Sequence, residues 1–490
     1  MASYLTFDIG TTALKTALVR DDGRVVALHT VEYAADAPRR GWAEMSSETY
    51  WRAAVQGTHA VCAASGTRHQ ELAAIGFSSQ GETFVPLDRN GEPLHPAIIW
   101  LDNRAAEIAE TWEAEWLSRD AFRRSSGYPW LPCELTVFKI AWLAEHVPEA
   151  HRAWKFVCLP DYLTYRLTSE VATDHVTALF SGMYDLATGG WHPELLAAAG
   201  ISVEQLPVIL PSGTVAGRVT PQAASELGIP PGVPVCAGAN DQIVGAVGAG
   251  NVRPGIVTET TGTALAVVMT TDVLLHSAAV CVGRHVVDDA YYALSFAPTS
   301  AIVLQWFRDL CAAGEDYEEF LAGVESVPPG CNGLTVLPHF SGTGPPTFNR
   351  DARGAFVGLA LGHTRAHLAR GIMEACACLL QECLEPLANQ GQEMATIRSL
   401  GGAARSDLWL QMKADLLGAP VERPACPDAA SLGAAMLAAA GVGQFPSVAD
   451  ASEAWYRTER TFEPDGECHV LYREVYDRYR AACAKLYAKM

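Results

Sequence analysis

The chain has 490 residues, of which 49% are hydrophobic and 18% charged, and a formal net charge of −20. That length calls for two or three domains, and that balance excludes a disordered chain. The acidic surplus argues against nucleic acid or an anionic membrane as partner, because both would be repelled, but not against a nucleotide, which arrives with magnesium and can be held by backbone N–H groups.

The first residues lack the basic and apolar regions of a signal peptide. No apolar run reaches the roughly 18 residues of a membrane helix. The 13 cysteines are scattered without a Cys-x-x-Cys pair. They read as reduced core residues, and the expectation is a cytoplasmic protein.

In chain order, Tyr4 to Val19 reads as strand, tight turn, strand, with Asp21-Asp22-Gly23 as the next hairpin turn. The first turn, Asp8-Ile-Gly-Thr-Thr-Ala-Leu-Lys15, joins a carboxylate, a glycine, two hydroxyls and an ammonium. Gly10 lets backbone N–H groups approach an anion; Thr11, Thr12 and Lys15 can hold phosphate oxygens, and Asp8 can bind hydrated magnesium. An ordinary hairpin would also carry such residues. The pattern then predicts a helix over 46–65, strands over 72–78 and 94–100, and a helix over 103–125. Ser78 to Phe84 and Trp100 to Arg104 are polar clusters at strand ends. They are either surface turns or an acceptor-rich pocket with one aromatic wall, as a polyol needs. Tryptophans 112, 116, 142 and 154 read as packing residues.

The apolar run from Val235 ends in Asn240-Asp241-Gln242, and a helix of small residues follows. Asp241 is either the cap of that helix or a general base, its neighbours being neutral hydrogen bonders rather than cations. Gly255 to Val268, containing Thr258-Glu-Thr-Thr-Gly-Thr-Ala264, repeats the opening strand-turn-strand. A duplicated α/β domain is the natural reading, with its boundary near 246–254. Helices are predicted over 303–313, 364–390 and 430–441, and strands over 333–338 and 396–400. The turn-rich loop 340–354 is long enough to be functional. Gly401-Gly-Ala-Ala-Arg-Ser406, between a strand and a helix, suits a nucleotide's ribose and phosphates. No P-loop pattern is present, and His363 with His367 has no third partner for zinc.

Together these segments resemble the FGGY family of carbohydrate kinases, within the actin and hexokinase superfamily. The match runs in order through 8–15, 76–104, Lys139-Ile-Ala-Trp-Leu143, Asn240-Asp241-Gln242, 259–264 and 401–415. The resemblance implies two ribonuclease-H-like α/β domains, 1–248 binding sugar and 249–490 binding ATP, with a cleft between them. It implies Asp241 as catalytic base and Asp8 near Mg2+. Thr11, Thr12 and Lys15 would face the phosphates, with Gly262 and Thr263 opposite; Gly402, Ala403 and Ser406 would flank the adenosine. Glu82, Trp100, Asp102, Asp241 and Gln242 would face a small sugar or polyol. Dimers are common among such kinases, so a homodimer is an expectation of the resemblance.

The segment Gln80-Gly81-Glu82 replaces the Gln-Met-His of typical xylulose kinases and the Gln-Arg-Glu of glycerol kinases. Losing a long side chain at Gly81 is expected to make room for a larger polyol or ketose, with a pentulose such as xylulose leading. A superfamily ATPase without a sugar, and a catalytically silent sugar-binding regulator, are the readings from other classes.

Overall fold

The computed structural model describes residues 2–65, 72–345 and 347–487, so Pro346 of the long loop lies outside the described residues. The opening residues form β1 (Ser3–Ile9), β2 (Ala13–Arg20) and β3 (Val25–Glu32), an antiparallel meander. β4 (Leu72–Ser79) then lies parallel to β1, and β5 (Val215–Arg218) and β6 (Pro234–Cys236) complete a six-stranded sheet in the order β5-β6-β4-β1-β2-β3. β1 is nearly all buried because both of its faces are covered. Leu5, Phe7 and Ile9 belong to one core, with Tyr50 and Trp51 of α1 (Ser47–Ser65). Tyr4 belongs to the core on the other face.

The second half repeats the scheme. β7 (Ile256–Thr261) and β8 (Leu265–Thr271) form the hairpin, and β9 (Cys281–Arg284) and β10 (Tyr291–Ala297) extend it. β11 (Thr396–Leu400) and β12 (Val421–Pro424) run parallel on the other side, closed by antiparallel β13 (Thr458–Phe462). The order is β9-β10-β8-β7-β11-β12-β13. The repeat therefore holds as topology: an antiparallel meander on one side of the opening strand, parallel strands on the other.

α2 (Asp241–Gly248) leads out of β6, and α5 (Ala429–Gly441) lies across it. Glycines permit this contact. A Cβ on Gly248 would be 1.8 Å from the Ala429 carbonyl oxygen, and one on Gly433 2.0 Å from that of Val244. Gly76 of β4 meets the Ala434 carbonyl in the same way, at 2.3 Å. A helix from the second half of the chain thus roofs the first sheet. α3 (Arg365–Ala388) and α4 (Asp407–Leu417) pack with the second half.

Two local expectations needed correction. The predicted strand 94–100 shortens to Ala97–Ile98, and Pro96 before it supplies no ladder donor. The predicted helix 103–125 is two helices, Ala106–Glu115 and Arg119–Ser126, and the second begins at Ser118, whose hydroxyl accepts from the Ala121 N–H at 3.2 Å. Among the described residues no helix is long and apolar enough to cross a membrane.

Candidate active site

Asp241 occupies the first turn of α2, just beyond β6. Its cap is Asn240, whose side chain accepts from the Gln242 N–H at 3.0 Å, so the Asp241 carboxylate is not consumed in capping. It accepts a long 3.3 Å hydrogen bond from the Gln242 amide and joins no ion pair among the described residues. Burial raises its pKa to about 7, with a further push from nearby Asp8.

Asp8 lies at the end of β1. The Ser78 hydroxyl donates to it at 2.7 Å, and Lys15 stands 3.9 Å away and 3.6 Å from Asp428. Burial raises the Asp8 carboxyl, against the opposing pull of Ser78 and Lys15. Asp8 and Asp428 thus share one partly exposed lysine, and Asp241, which adds to the negative charge on Asp8's side, has none among the described residues. Such a surplus of hard oxygen charge fits a hydrated divalent cation. No cluster of three or more acidic, histidine or cysteine ligands occurs among the described residues, so a cation here would keep its water and lean on nucleotide phosphates.

Thr11, Gln80, Gly81, Glu82, Trp100, Asn240, Asp241 and Gln242 line one cleft of about 1480 Å3 together with Ala264, Leu265 and Phe296 of the second half. The Trp100 indole N–H donates to the Thr11 hydroxyl at 2.8 Å, tying the pocket wall to the first turn. The Gln80 amide donates to the Gly10 carbonyl at 2.9 Å and braces the same turn. Glu82 has a φ of 54°, a left-handed backbone that turns its carboxyl inward. Its carbonyl is held there by Thr136 and Lys139, each at 3.0 Å. Burial raises the Glu82 carboxyl, opposed by Lys139 and reinforced by Asp241.

Several expected site residues stand elsewhere. Asp102 does not face the cleft: it is fully buried, binds Arg104 through both oxygens and accepts the Ala43 N–H at 2.6 Å. Arg104 in turn lies 3.9 Å over the Trp42 ring, so this pair organises the back of the pocket. The expected room at Gly81 is already filled, since a Cβ there would be 3.1 Å from the Phe180 ring and 3.2 Å from the Asn240 amide. The Ser406 hydroxyl caps α4 through the Trp409 N–H at 3.3 Å, and the Ala403 side chain is buried. Gly402 is exposed, and Thr12, Lys15, Gly262 and Thr263 lie at or beyond the rim rather than in the cleft lining. Gly401, beside them, is 3.0 Å (as a Cβ) from the Thr261 carbonyl, which joins the 401–406 and 261–263 turns.

Sequence reasoning found the Trp100 wall but missed a second aromatic wall. Trp130 packs on Phe348 at 4.3 Å between ring centroids and on Phe296 at 5.7 Å, joining the two halves across the cleft. Tyr128 donates to Glu82 at 3.3 Å. The available signal was the aromatic run Tyr128-Pro-Trp130 beside the flagged loop 340–354, which contributes Ser341, Thr343 and Arg350 to the lining.

A duplicated sheet-and-helix fold with a half-buried, cation-free carboxylate between two glycine-threonine turns defines a two-domain phosphotransferase of the actin and hexokinase type. The chain belongs to the FGGY family of carbohydrate kinases: the family's N-terminal domain matches residues 3–248 and its C-terminal domain residues 256–442. It is 28% identical over 487 residues to a xylulose kinase of Bacillus subtilis, covering 98% of this chain and 96% of that one. A glycerol kinase of Nitratidesulfovibrio vulgaris is 31% identical over 498 residues, with 98% of each chain covered. The solved xylulose kinase of Rhodospirillum rubrum superposes with a TM-score of 0.91 at 30% identity, over 99% of both chains. The chain is therefore an ATP-dependent carbohydrate kinase acting on a small sugar or polyol.

Proposed function

We propose that the acceptor is an uncharged ketose or polyol, led by a pentulose such as D-xylulose giving xylulose 5-phosphate. The observation that carries this reading is the cleft floor, where Asp241 and Glu82 face one cavity and neither is ion-paired among the described residues. Asp241 accepts a hydrogen bond from a hydroxyl and the protonated Glu82 donates one to a substrate oxygen, with no ion-paired cation at either to hold an acid group, while Trp100 and Trp130 offer faces to C–H groups. Xylulose kinases among the relatives support the pentulose. The glutamate at 82, shared with glycerol kinases, favours glycerol or another polyol as the second reading.

In this proposal the chain divides into domains 1–248 and 249–490. Thr11, Thr12 and Lys15 meet the nucleotide phosphates from one side, Gly262 and Thr263 from the other, and Gly402 with the backbone of 403–406 borders the adenosine. Asp8 would hold a bound Mg2+, which would supply positive charge to offset that of the phosphates. Asp241 takes the proton of the acceptor hydroxyl as its oxygen bonds to the γ-phosphorus; the bond to the β–γ bridging oxygen breaks and ADP leaves.

Magnesium-dependent ADP release tests this with glycerol, erythritol, D- and L-xylulose, D- and L-ribulose and gluconate. One neutral ketose or polyol is expected to raise release far above the sugar-free rate. A response to gluconate alone would refute the uncharged acceptor, and a flat panel with steady ATP turnover would point to an ATPase.

The raised carboxyls set the pH profile. A base whose pKa is about 7 is mostly protonated below neutrality, so kcat/KM is expected to climb about tenfold per pH unit up to about pH 7 and then level. Glu82, raised beside it, serves as a neutral donor to a substrate oxygen, so activity should fall again on the alkaline side as it ionises. Glu82→Gln keeps a donor that cannot ionise. It should keep the acid limb and lose the alkaline one; an unchanged alkaline limb would remove Glu82 from this role.

A further inference from the structure

The two halves place a carboxylate at the same point of their sheets. Asp8 of β1 is paired with Ser78 of β4, and Glu259 of β7 is paired with Ser399 of β11, each across a parallel ladder and just before a glycine-threonine turn. In each case the serine hydroxyl donates to the carboxylate. There the likeness ends. The partner of Asp8 is Lys15, a distant ammonium with 42% of its side chain exposed. Glu259 is bound by Lys413 of α4 at 2.5 Å, and both side chains are wholly buried.

The Glu259 site is saturated internally. Its second oxygen accepts from the Thr261 hydroxyl at 2.6 Å. The Lys413 ammonium also donates to Thr261 at 3.0 Å and to Ser399 at 3.3 Å, filling its three donor positions. One buried cluster therefore joins the ends of β7 and β11 to α4. Those are the three elements from which the turns 261–263 and 401–406 emerge, and the Thr261 carbonyl packs against Gly401. A well-packed apolar pair commonly gives equal or greater stability than a buried ion pair, because of the charges' desolvation. Stability alone is thus a poor account of this one.

We propose that Glu259 and Lys413 are positioning residues that hold the two nucleotide-facing turns of the second half in register. This rests on the reading of those turns as the phosphate and adenosine sites. Where the Asp8 side chain keeps 14% of its surface exposed beside the first turn, its counterpart Glu259 is locked inside the protein, so the duplicated fold uses one carboxylate for the ligand and the other for the scaffold. The proposal requires that removing the pair loosen the turns even when the core remains filled.

The test is the double variant Glu259→Leu/Lys413→Met, which leaves no uncompensated charge. Its Tm is expected to stay within a few degrees of wild type, while the Kd for MgADP by calorimetry and the KM for MgATP rise about tenfold and the acceptor KM stays within about twofold. Thr261→Val keeps both charges and removes the hydroxyl that links them to the turn; it should shift the nucleotide constants the same way, and it decides the matter if the double variant does not fold. A folded double variant, or Thr261→Val, that binds MgADP with the wild-type Kd overturns the proposal while leaving the kinase reading intact. Wild-type protein that binds no MgADP overturns both.

Discussion

Asp241→Asn is expected to lower kcat by about 10²- to 10⁴-fold while raising, not lowering, thermal stability at pH 8. The amide preserves size and most hydrogen-bonding geometry but cannot take a proton. The stability sign follows from linkage. The Asp241 pKa is raised to about 7 in the folded protein, above the ordinary aspartate value, so the folded state holds the proton more tightly. That preference is fully present below the unfolded pKa and is lost as pH rises through about 7. At pH 8 the wild type therefore bears an ionised carboxylate that folding disfavours, and asparagine removes it. A Tm gain of roughly 1–3 °C at pH 8, shrinking toward pH 4, is expected from calorimetry. Near-normal turnover would show that another group is the base. A lower Tm at pH 8 would show that the carboxylate is compensated in a way its surroundings do not indicate.

Gly433→Ala and Gly245→Ala are expected to act in opposite directions, although both put a methyl on a helix at the same junction. A Cβ at 433 would lie 2.0 Å from the Val244 carbonyl oxygen and 3.0 Å from the Gly248 nitrogen. Both obstacles are backbone, so α2 and α5 must part to admit it. The cost should be about 1–3 kcal/mol. Asp241 opens α2, so the displacement should also lower kcat. At Gly245, in the same helix α2, an added Cβ meets nothing within 4 Å. Alanine there gains helix propensity and should be neutral or stabilising by up to about 1 kcal/mol. Chemical denaturation of both variants measures the pair. A neutral Gly433→Ala would mean that the two helices are not tightly apposed in solution.

How far the residues alone could lead is visible at these same positions. The glycine-threonine turns, the aspartate after an apolar run and the small-residue helices are local patterns, and local patterns carry backbone geometry. They were sufficient for the duplicated α/β domains, for the strand Thr396–Leu400 and for helices within one or two residues of Arg365–Ala388 and Ala429–Gly441.

What the tertiary structure alone decided is which side chains remain free for a ligand. Asp102 looks available in its turn until Arg104 and the Ala43 N–H take its oxygens. Gly81 looks like added room until Phe180, from a helix nearly a hundred residues on, fills the space. Glu259 takes the place of Asp8 in the repeat, yet Lys413, 154 residues away, reaches it. By itself the sequence determined the backbone scaffold and the carboxylate at 241, because period, glycine and capping chemistry act over a few residues. The pocket's true lining was decided by packing, because a polar group's availability depends on partners that only the folded chain brings within reach.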